Sequence, residues 1–151
     1  MGLDMYLKLK RSKRELITNM KDTEDFKIFE DINSAIIYDV FTIGYWRKAN
    51  AIFDMIERCV AYDEIENCVD LYVPESKVQE MLDICKQVKA NPEKAEELLP
   101  TRSGFFFGPT SYDEWYFKDL DYTIDLFEKV LEFLSTNDNR AYYDVYFNAW
   151  W

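Results

Sequence analysis

The sequence predicts a single compact, acidic α+β domain over residues 1–151, with a mostly antiparallel sheet of about four strands backed by three main helices. The length of 151 residues is that of one ordinary domain, and a hydrophobic content of 48% can supply its core. Hydrophobicity alternates with a period of two near both ends and in the middle of the chain, which indicates half-buried strands. Between these segments, apolar residues recur with the 3.6-residue period of helices.

The N-terminal third predicts two strands. Residues 3–9 alternate strictly, so one face of the first strand would bury Leu3, Met5, Leu7 and Leu9. Residues 12–33 are polar with isolated apolar anchors, and we interpret them as an excursion or hairpin. The apolar, β-branched segment 35–43 predicts the second strand, although a run this short is also compatible with a helix.

The middle of the chain predicts two helices around a third strand. Gly44 permits a turn into a helix whose apolar face comprises Tyr45, Ala49, Ile52, Phe53, Ile56 and Val60. Residues 68–73 alternate again, and Pro74 ends that strand and suits the start of the next helix. This second helix would bury Val78, Met81, Leu82, Cys85 and Val88. Residues 93–99 predict one short helical piece.

The last third predicts a loop, a long helix and a final strand. Glycine and proline mark residues 100–109 as a loop, after which Ser111 resembles a helix N-cap with Glu114 completing a capping box. The helix would bury a stripe formed by Phe117, Leu120, Ile124, Phe127, Leu131 and Leu134. Residues 135–139 end it, and the aromatic segment 140–151 predicts a strand with one side formed by Tyr143, Val145, Phe147, Ala149 and Trp151.

The composition excludes several classes of function. The chain has no histidine, which removes Ser-His-Asp and Cys-His catalysis and nearly all catalytic zinc sites, so we predict no catalytic residue, cofactor or metal ligand. The formal charge of −11 argues against direct binding to nucleic acid or to anionic membranes. Residues 1–21 are a basic exception, with six cations and two acids.

The compartment predicted from the sequence is the cytoplasm. No apolar run approaches the roughly 20 residues of a membrane span, and the N-terminus does not resemble a signal peptide. An odd number of scattered cysteines, Cys59, Cys68 and Cys85, indicates reduced thiols that are buried for structural reasons.

The first candidate site is an acidic row on the long helix. Residues 113–132 carry seven acids and two lysines. At about 1.5 Å rise per residue, steps of three to four residues place carboxylates roughly 5–6 Å apart, which resembles the spacing of phosphates along DNA. The row would bind a basic protein partner through Glu114, Asp121, Asp125, Glu128 and Glu132. The alternative is an ordinary solvated helix face.

The second candidate site is a ligand pocket. Two aromatic residues and two cations at a helix start, residues 45–48, would hold an anion or stack on a base. Trp46 is the aromatic residue of interest because Tyr45 already belongs to the predicted core stripe. With Arg102 and the three phenylalanines of the loop, the pocket would be formed by Trp46, Arg47, Asn50, Arg102 and Phe106. The alternative is that the aromatic residues are core and the cations surface.

Five segments together resemble a family of small proteins encoded mainly by bacteriophages and prophages. They are MGLDMYL at 1–7, YWRKAN at 45–50, Asn67-Cys68, LLPT at 98–101 and GFFFG at 104–108. Some members carry a kinase label, but this sequence has no phosphate-binding loop. By analogy with other small acidic phage proteins, the resemblance implies a non-enzymatic protein that binds a host protein.

Three functional hypotheses follow. In the first, the acidic row binds and inhibits a basic, nucleic-acid-handling host protein, as an anti-CRISPR or anti-restriction inhibitor would, in one form by imitating DNA. In the second, the pocket binds a small ligand or nucleotide. In the third, the chain associates with itself as a homo-oligomer through the aromatic tail at 142–151.

Overall fold

The computed structural model describes residues 2–16 and 34–151, with side chains for residues 2–11 and 38–151. Within these residues the strands are β1 (Asp4–Leu16), β2 (Ser34–Arg47), β3 (Leu71–Tyr72) and β4 (Tyr143–Trp150). The protein is α+β, as the sequence predicts: the four strands form one antiparallel sheet in the order β2–β1–β4–β3, and helices pack with its inward face in one core.

The helices lie between β2 and β4 in the chain. They are α1 (Asn50–Ile56), α2 (Glu75–Ala90), α3 (Ala95–Leu98), α4 (Glu114–Phe133) and α5 (Asn137–Tyr142). A π-helical turn over Glu57–Ala61 continues α1, and a 3-10 turn over Pro92–Lys94 precedes α3. Among the described residues, no helix combines the length and the apolar character needed to cross a membrane.

The predicted alternation of β1 and β4 is confirmed by burial. Leu3 and the inward residues of β1 are buried, as are Val145, Phe147 and Ala149 of β4. β4 is an inner strand because it pairs with β1 on one side and β3 on the other. The aromatic tail that the third hypothesis assigns to self-association therefore lies within the sheet.

The bounds of the predicted strands need correction. Residues 12–16 continue β1 and pair antiparallel with the start of β2, which agrees with the hairpin interpretation of the polar segment, and its residues 17–33 lie outside the described part. The third strand is only Leu71–Tyr72, since Cys68 has a left-handed backbone (φ 66°) that does not continue a strand. Cys68 is also exposed, whereas Cys59 and Cys85 are buried as predicted.

The segment around Gly44 is strand and not the start of a helix. β2 continues to Arg47, so Tyr45 is 44% exposed whereas Trp46 is 2% exposed, the reverse of the predicted assignment. The alternation of a strand places neighbouring side chains on opposite faces, which a helical interpretation could not anticipate. Gly44 packs closely against α4, because a Cβ there would overlap Cδ2 of Leu126 and that side chain would have to shift.

The long helix is confirmed, but its first turn and its buried face differ from the prediction. Asp113 is the N-cap, and its carboxylate accepts the backbone N–H groups of Trp115 and Tyr116. The hydroxyl of Ser111 donates to Asp113 instead of capping the helix. The most deeply buried residues of α4 are Tyr116, Leu120, Thr123, Leu126, Phe127 and Val130. The predicted stripe is half-buried at Phe117, Ile124 and Leu131.

The described part of the basic N-terminal segment belongs to β1. Lys8 and Lys10 both contact Asp70, at 3.1 Å and 2.6 Å. Burial acts to raise the pKa of Asp70, but the hydrogen bonds from Lys10 and Lys8 lower this pKa below its usual value. These two lysines are therefore internally paired. Lys21, also counted in the basic segment, lies outside the described residues.

Candidate functional site

A cavity of about 230 Å³ lies between the end of β2, the start of α1 and the start of α4. Its apolar walls are formed by Ala49, Ala51, Ile52, Leu99 and Pro109, together with the aromatic residues Trp115 and Tyr116. Its charged and amide side chains belong to Arg47, Lys48, Asn50, Asp113 and Asp119. This volume lies just below the roughly 300–1,000 Å³ of pockets for drug-sized ligands, so it suits a small ligand.

Asn50 holds the loops that form one wall of the cavity. Its amide nitrogen donates to the carbonyl oxygens of Phe107 and Pro109, each at 2.9 Å. Its Oδ1 accepts the backbone N–H of Arg102 at 3.0 Å. Because Asn50 is buried and its side-chain groups are engaged, it positions the loops and does not supply a free group to a ligand.

The N-terminal segment holds the same loops from the other side. The backbone N–H of Leu3 donates to the carbonyl of Phe106, and the N–H of Lys48 donates to the carbonyl of Leu3. A Cβ at Gly108 would lie 3.0 Å from Cβ of Lys48, so the chain approaches closely there. Four of the distinctive sequence segments, MGLDMYL, YWRKAN, LLPT and GFFFG, therefore converge beside the cavity.

Asp113 is occupied as the cap of α4. The backbone N–H of Tyr116 and the hydroxyl of Ser111 both donate to its carboxylate, and they hold the pKa of Asp113 below its usual value. A carboxylate at this helix start also satisfies the positive end of the helix dipole. The start of α4 is therefore already neutralised by the protein itself.

Asp119 is the free carboxyl group of the cavity. It is half-buried, and within residues 2–16 and 34–151 its carboxylate has no hydrogen bond or ion pair. Burial raises the pKa of Asp119 to about 6, and the negative charge of Asp113 adds to the effect. An unpaired carboxylate whose pKa is raised by desolvation in a cavity is a typical mark of a functional site.

Arg47 and Lys48 supply positive charge to the lining of the cavity. The Arg47 guanidinium lies 3.9 Å from the Asp4 carboxylate, which also accepts the hydroxyl of Tyr45. Lys48 is exposed and has no acidic partner among the described residues. Lys48 is therefore available to an anionic group at the cavity, and the exposed guanidinium of Arg47 could contact one beside its ion pair with Asp4.

The aromatic residues that line the cavity differ in burial. Trp115 is 68% exposed, and Nζ of Lys118 lies 4.4 Å from the centre of its ring. Tyr116 is buried, and its hydroxyl donates to the carbonyl of Leu99 at 2.8 Å. Trp115 and Asp119 are four residues apart on α4 and therefore share one face of the helix.

Two of the five pocket residues predicted from the sequence line the cavity, namely Arg47 and Asn50. Trp46 is a core residue whose indole N–H donates to Thr123 at 2.9 Å. Arg102 forms an ion pair with Glu57, and Phe106 is half-buried against the ring of Phe105. These three side chains lie outside the cavity lining.

The acidic row is exposed but largely paired with lysine. Glu114 and Asp125 contact lysines one turn further along α4, at 2.5 Å and 2.6 Å. Asp121 and Glu128 contact Lys89 and Lys86 of α2. Only Glu132 of the five has no ion pair within the described part of the chain. Five acids with four partner lysines leave a net charge of −1, which weakens the attraction of the row for a basic surface.

The residues that sequence reasoning missed are Trp115 and Asp119. Asp119 lies roughly 140° around the helix from Glu114, at the border of the buried face, so a helical projection separates it from the acidic row. An acid that a helical projection places near the buried face can therefore be predicted to have a partly desolvated carboxyl group. The loop residues that close the cavity around it have no comparable signal.

Comparisons with known proteins give no further assignment. No protein-family model, curated protein or solved structure matches this chain. Among residues 2–16 and 34–151, no group of three or more acids and cysteines is placed to hold a metal ion. The cavity and its unpaired carboxylate are therefore the features on which a functional assignment rests.

Proposed function

We propose that this protein binds a small, planar, anion-bearing ligand of the mononucleotide type in the cavity between β2, α1 and α4. The observation that carries the proposal is the unpaired, desolvated carboxylate of Asp119 in a cavity that is also lined by two exposed cations, Arg47 and Lys48. A carboxylate without a partner costs stability, which an ordinary packing role does not explain. A ligand with an N–H donor would supply the missing partner.

The remaining lining residues define the ligand further. Arg47 and Lys48 favour an anionic group such as a phosphate, which Arg can bind through two hydrogen bonds. The exposed indole of Trp115 favours a flat ring, because stacking on an aromatic side chain does not require hydrogen bonds. The local positive charge of Arg47 and Lys48 offsets the overall charge of −11, which would otherwise repel a phosphate.

Thermal unfolding with a panel of nucleotides and phosphorylated metabolites tests this proposal. A ligand that binds only the folded protein raises Tm, by an amount equivalent to about 2.7 kcal/mol at 100 times its Kd. The double variant Arg47→Gln with Lys48→Gln should lose the increase. The matched control, Lys86→Gln with Lys89→Gln, removes two exposed cations from α2 and should keep it.

Two results would contradict the proposal. One is a panel in which no compound raises Tm. The other is a Tm increase that survives loss of Arg47 and Lys48, since it would place the ligand elsewhere on the protein.

A second candidate is inhibition of a basic, nucleic-acid-handling host protein, for example a CRISPR or restriction nuclease. It is favoured by the formal charge of −11, which would speed encounters with a basic partner. The resemblance to phage-encoded proteins gives this candidate its context. Lysine pairing along the acidic row is the reason that we place it second.

Either function is consistent with the cytoplasm. Cys59, Cys68 and Cys85 are free thiols, which persist in a reducing compartment. Nucleotides and nucleic-acid-handling proteins occur there as well.

A further inference from the structure

We propose that the cavity recognises guanine, with the Asp119 carboxylate accepting two N–H donors of the base, the Trp115 indole against its ring, and Arg47 and Lys48 at the phosphate of the nucleotide. This inference rests on the proposed function and names the ligand class. It follows from matching the groups left available in the cavity to the hydrogen-bonding edges of the common bases.

An ionised carboxylate only accepts hydrogen bonds, through two oxygens that lie side by side. Guanine is the common base whose Watson–Crick edge presents two adjacent donors, N1–H and the 2-amino group. Adenine and cytosine each place an unprotonated ring nitrogen next to the amino group, and this acceptor would face a carboxylate oxygen. Uracil offers one N–H between two carbonyl acceptors. Asp119 therefore selects guanine by attraction to its donors and by repulsion of the other bases.

The other polar side chains of the cavity are engaged and do not compete for the base. Asp113 is occupied by the first turn of α4, and Asn50 by the loops at Phe107 and Pro109. The hydroxyl of Tyr116 donates to Leu99. Asp119 is thus the one lining carboxylate, within the part of the chain that the structure describes, whose acceptors are all free.

The position of Trp115 relative to Asp119 suits a stacked base. The two residues lie one turn apart on the same face of α4, and both line the cavity. A ring against the indole would therefore direct its edge along the helix toward the carboxylate. The indole is 68% exposed, so a base can cover it without displacing the core.

Calorimetry with guanosine, inosine and adenosine monophosphates tests the inference. A good bidentate contact discriminates by about five- to 150-fold, so guanosine monophosphate should bind that much more tightly than adenosine monophosphate. Inosine monophosphate lacks the 2-amino group and should fall between them. Asp119→Asn should reduce affinity for the guanine nucleotide and raise that for the adenine nucleotide, because the repulsion between the carboxylate and the adenine ring nitrogen is removed.

Trp115→Ala is the matched control for stacking. It should weaken binding of all three nucleotides by a similar factor and leave their order unchanged, because every base has a stacking face. Asp119→Asn keeps the shape of the side chain and removes a desolvated charge, so the variant should fold.

The outcomes separate this inference from the proposed function. Equal affinities for the three nucleotides, or a guanine preference that survives Asp119→Asn, would overturn the guanine inference while leaving a ligand-binding cavity. Binding of a different phosphorylated compound from the panel, with no nucleotide bound, would do the same. A panel without any bound compound would overturn both.

Discussion

Replacing Asp119 with asparagine should stabilise the protein at neutral and alkaline pH. The folded structure holds this carboxylate half-buried, without a partner in the described residues and beside the charge of Asp113. Asparagine has nearly the same shape but no charge, so the substitution removes the cost of desolvating an ion. Stability gained by removing a residue is typical of positions kept for function.

The expected magnitude follows from the pKa. Burial raises the pKa of Asp119 from 3.8 to about 6, a difference that corresponds to about 3 kcal/mol. Because the side chain keeps some contact with solvent, we expect about 2 kcal/mol after screening. In a domain of this size, 2 kcal/mol corresponds to an increase in Tm of roughly 4–8 °C.

The pH dependence has a definite sign. The folded-state pKa lies above the unfolded value, so the folded protein holds the proton more tightly and loses stability from this group as the pH rises from about 4 to above 6. The advantage of Asp119→Asn should therefore be full at pH 8 and vanish below pH 4. Other acids titrate in both proteins, and their contributions cancel in the difference.

Urea unfolding of the two proteins at both pH values measures this difference. Glu132→Gln is the control, because it neutralises an exposed acid on the same helix and should change the free energy of unfolding by less than about 0.5 kcal/mol at either pH. An Asp119→Asn variant that is no more stable than the parent at pH 8 would refute the reasoning. So would a gain of equal size at both pH values.

Two further predictions concern packing and charge. Gly44→Ala should destabilise the protein by roughly 1–3 kcal/mol, because its Cβ would overlap Leu126. In a double-mutant cycle measured by urea unfolding, Leu126→Ala should relieve part of that cost. Strictly additive effects of the two substitutions would contradict this contact. If the second candidate function holds, the tagged protein should capture basic proteins from host cells, identified by mass spectrometry. A variant with four acids of the row changed to lysine should no longer capture them; these acids are Asp121, Asp125, Glu128 and Glu132. Capture of the same proteins by the charge-reversed variant would exclude the acidic row as the contact.

The fold class could be predicted from the sequence because burial follows the period of each element. Each of these elements has one apolar face that is buried in the core: the alternating residues at 3–9 and 143–149 and the helical stripe at 78–88. Errors arose where two periods are compatible with a short apolar segment. Tyr45 and Trp46 exchanged roles because residues 45–47 continue a strand, and only pairing with β1 decides that.

The candidate site, like the fold, could be predicted from the sequence only in part. Arg47 and Asn50 could be predicted because a cluster of cations, aromatic residues and an amide is visible along the chain. A helical projection places Asp119 toward the buried face of α4, but nothing local shows that the fold leaves this one of 29 acids without a partner.

The sequence by itself determined the fold class, the acidic character and the exclusion of histidine chemistry, because these follow from composition and from periods within single elements. Only the tertiary structure decided that lysines of α2 meet the acidic row and that the loops held by Asn50 enclose Asp119. Pairing and desolvation depend on which groups distant in the chain come within a few ångströms, and that proximity is a property of the folded chain.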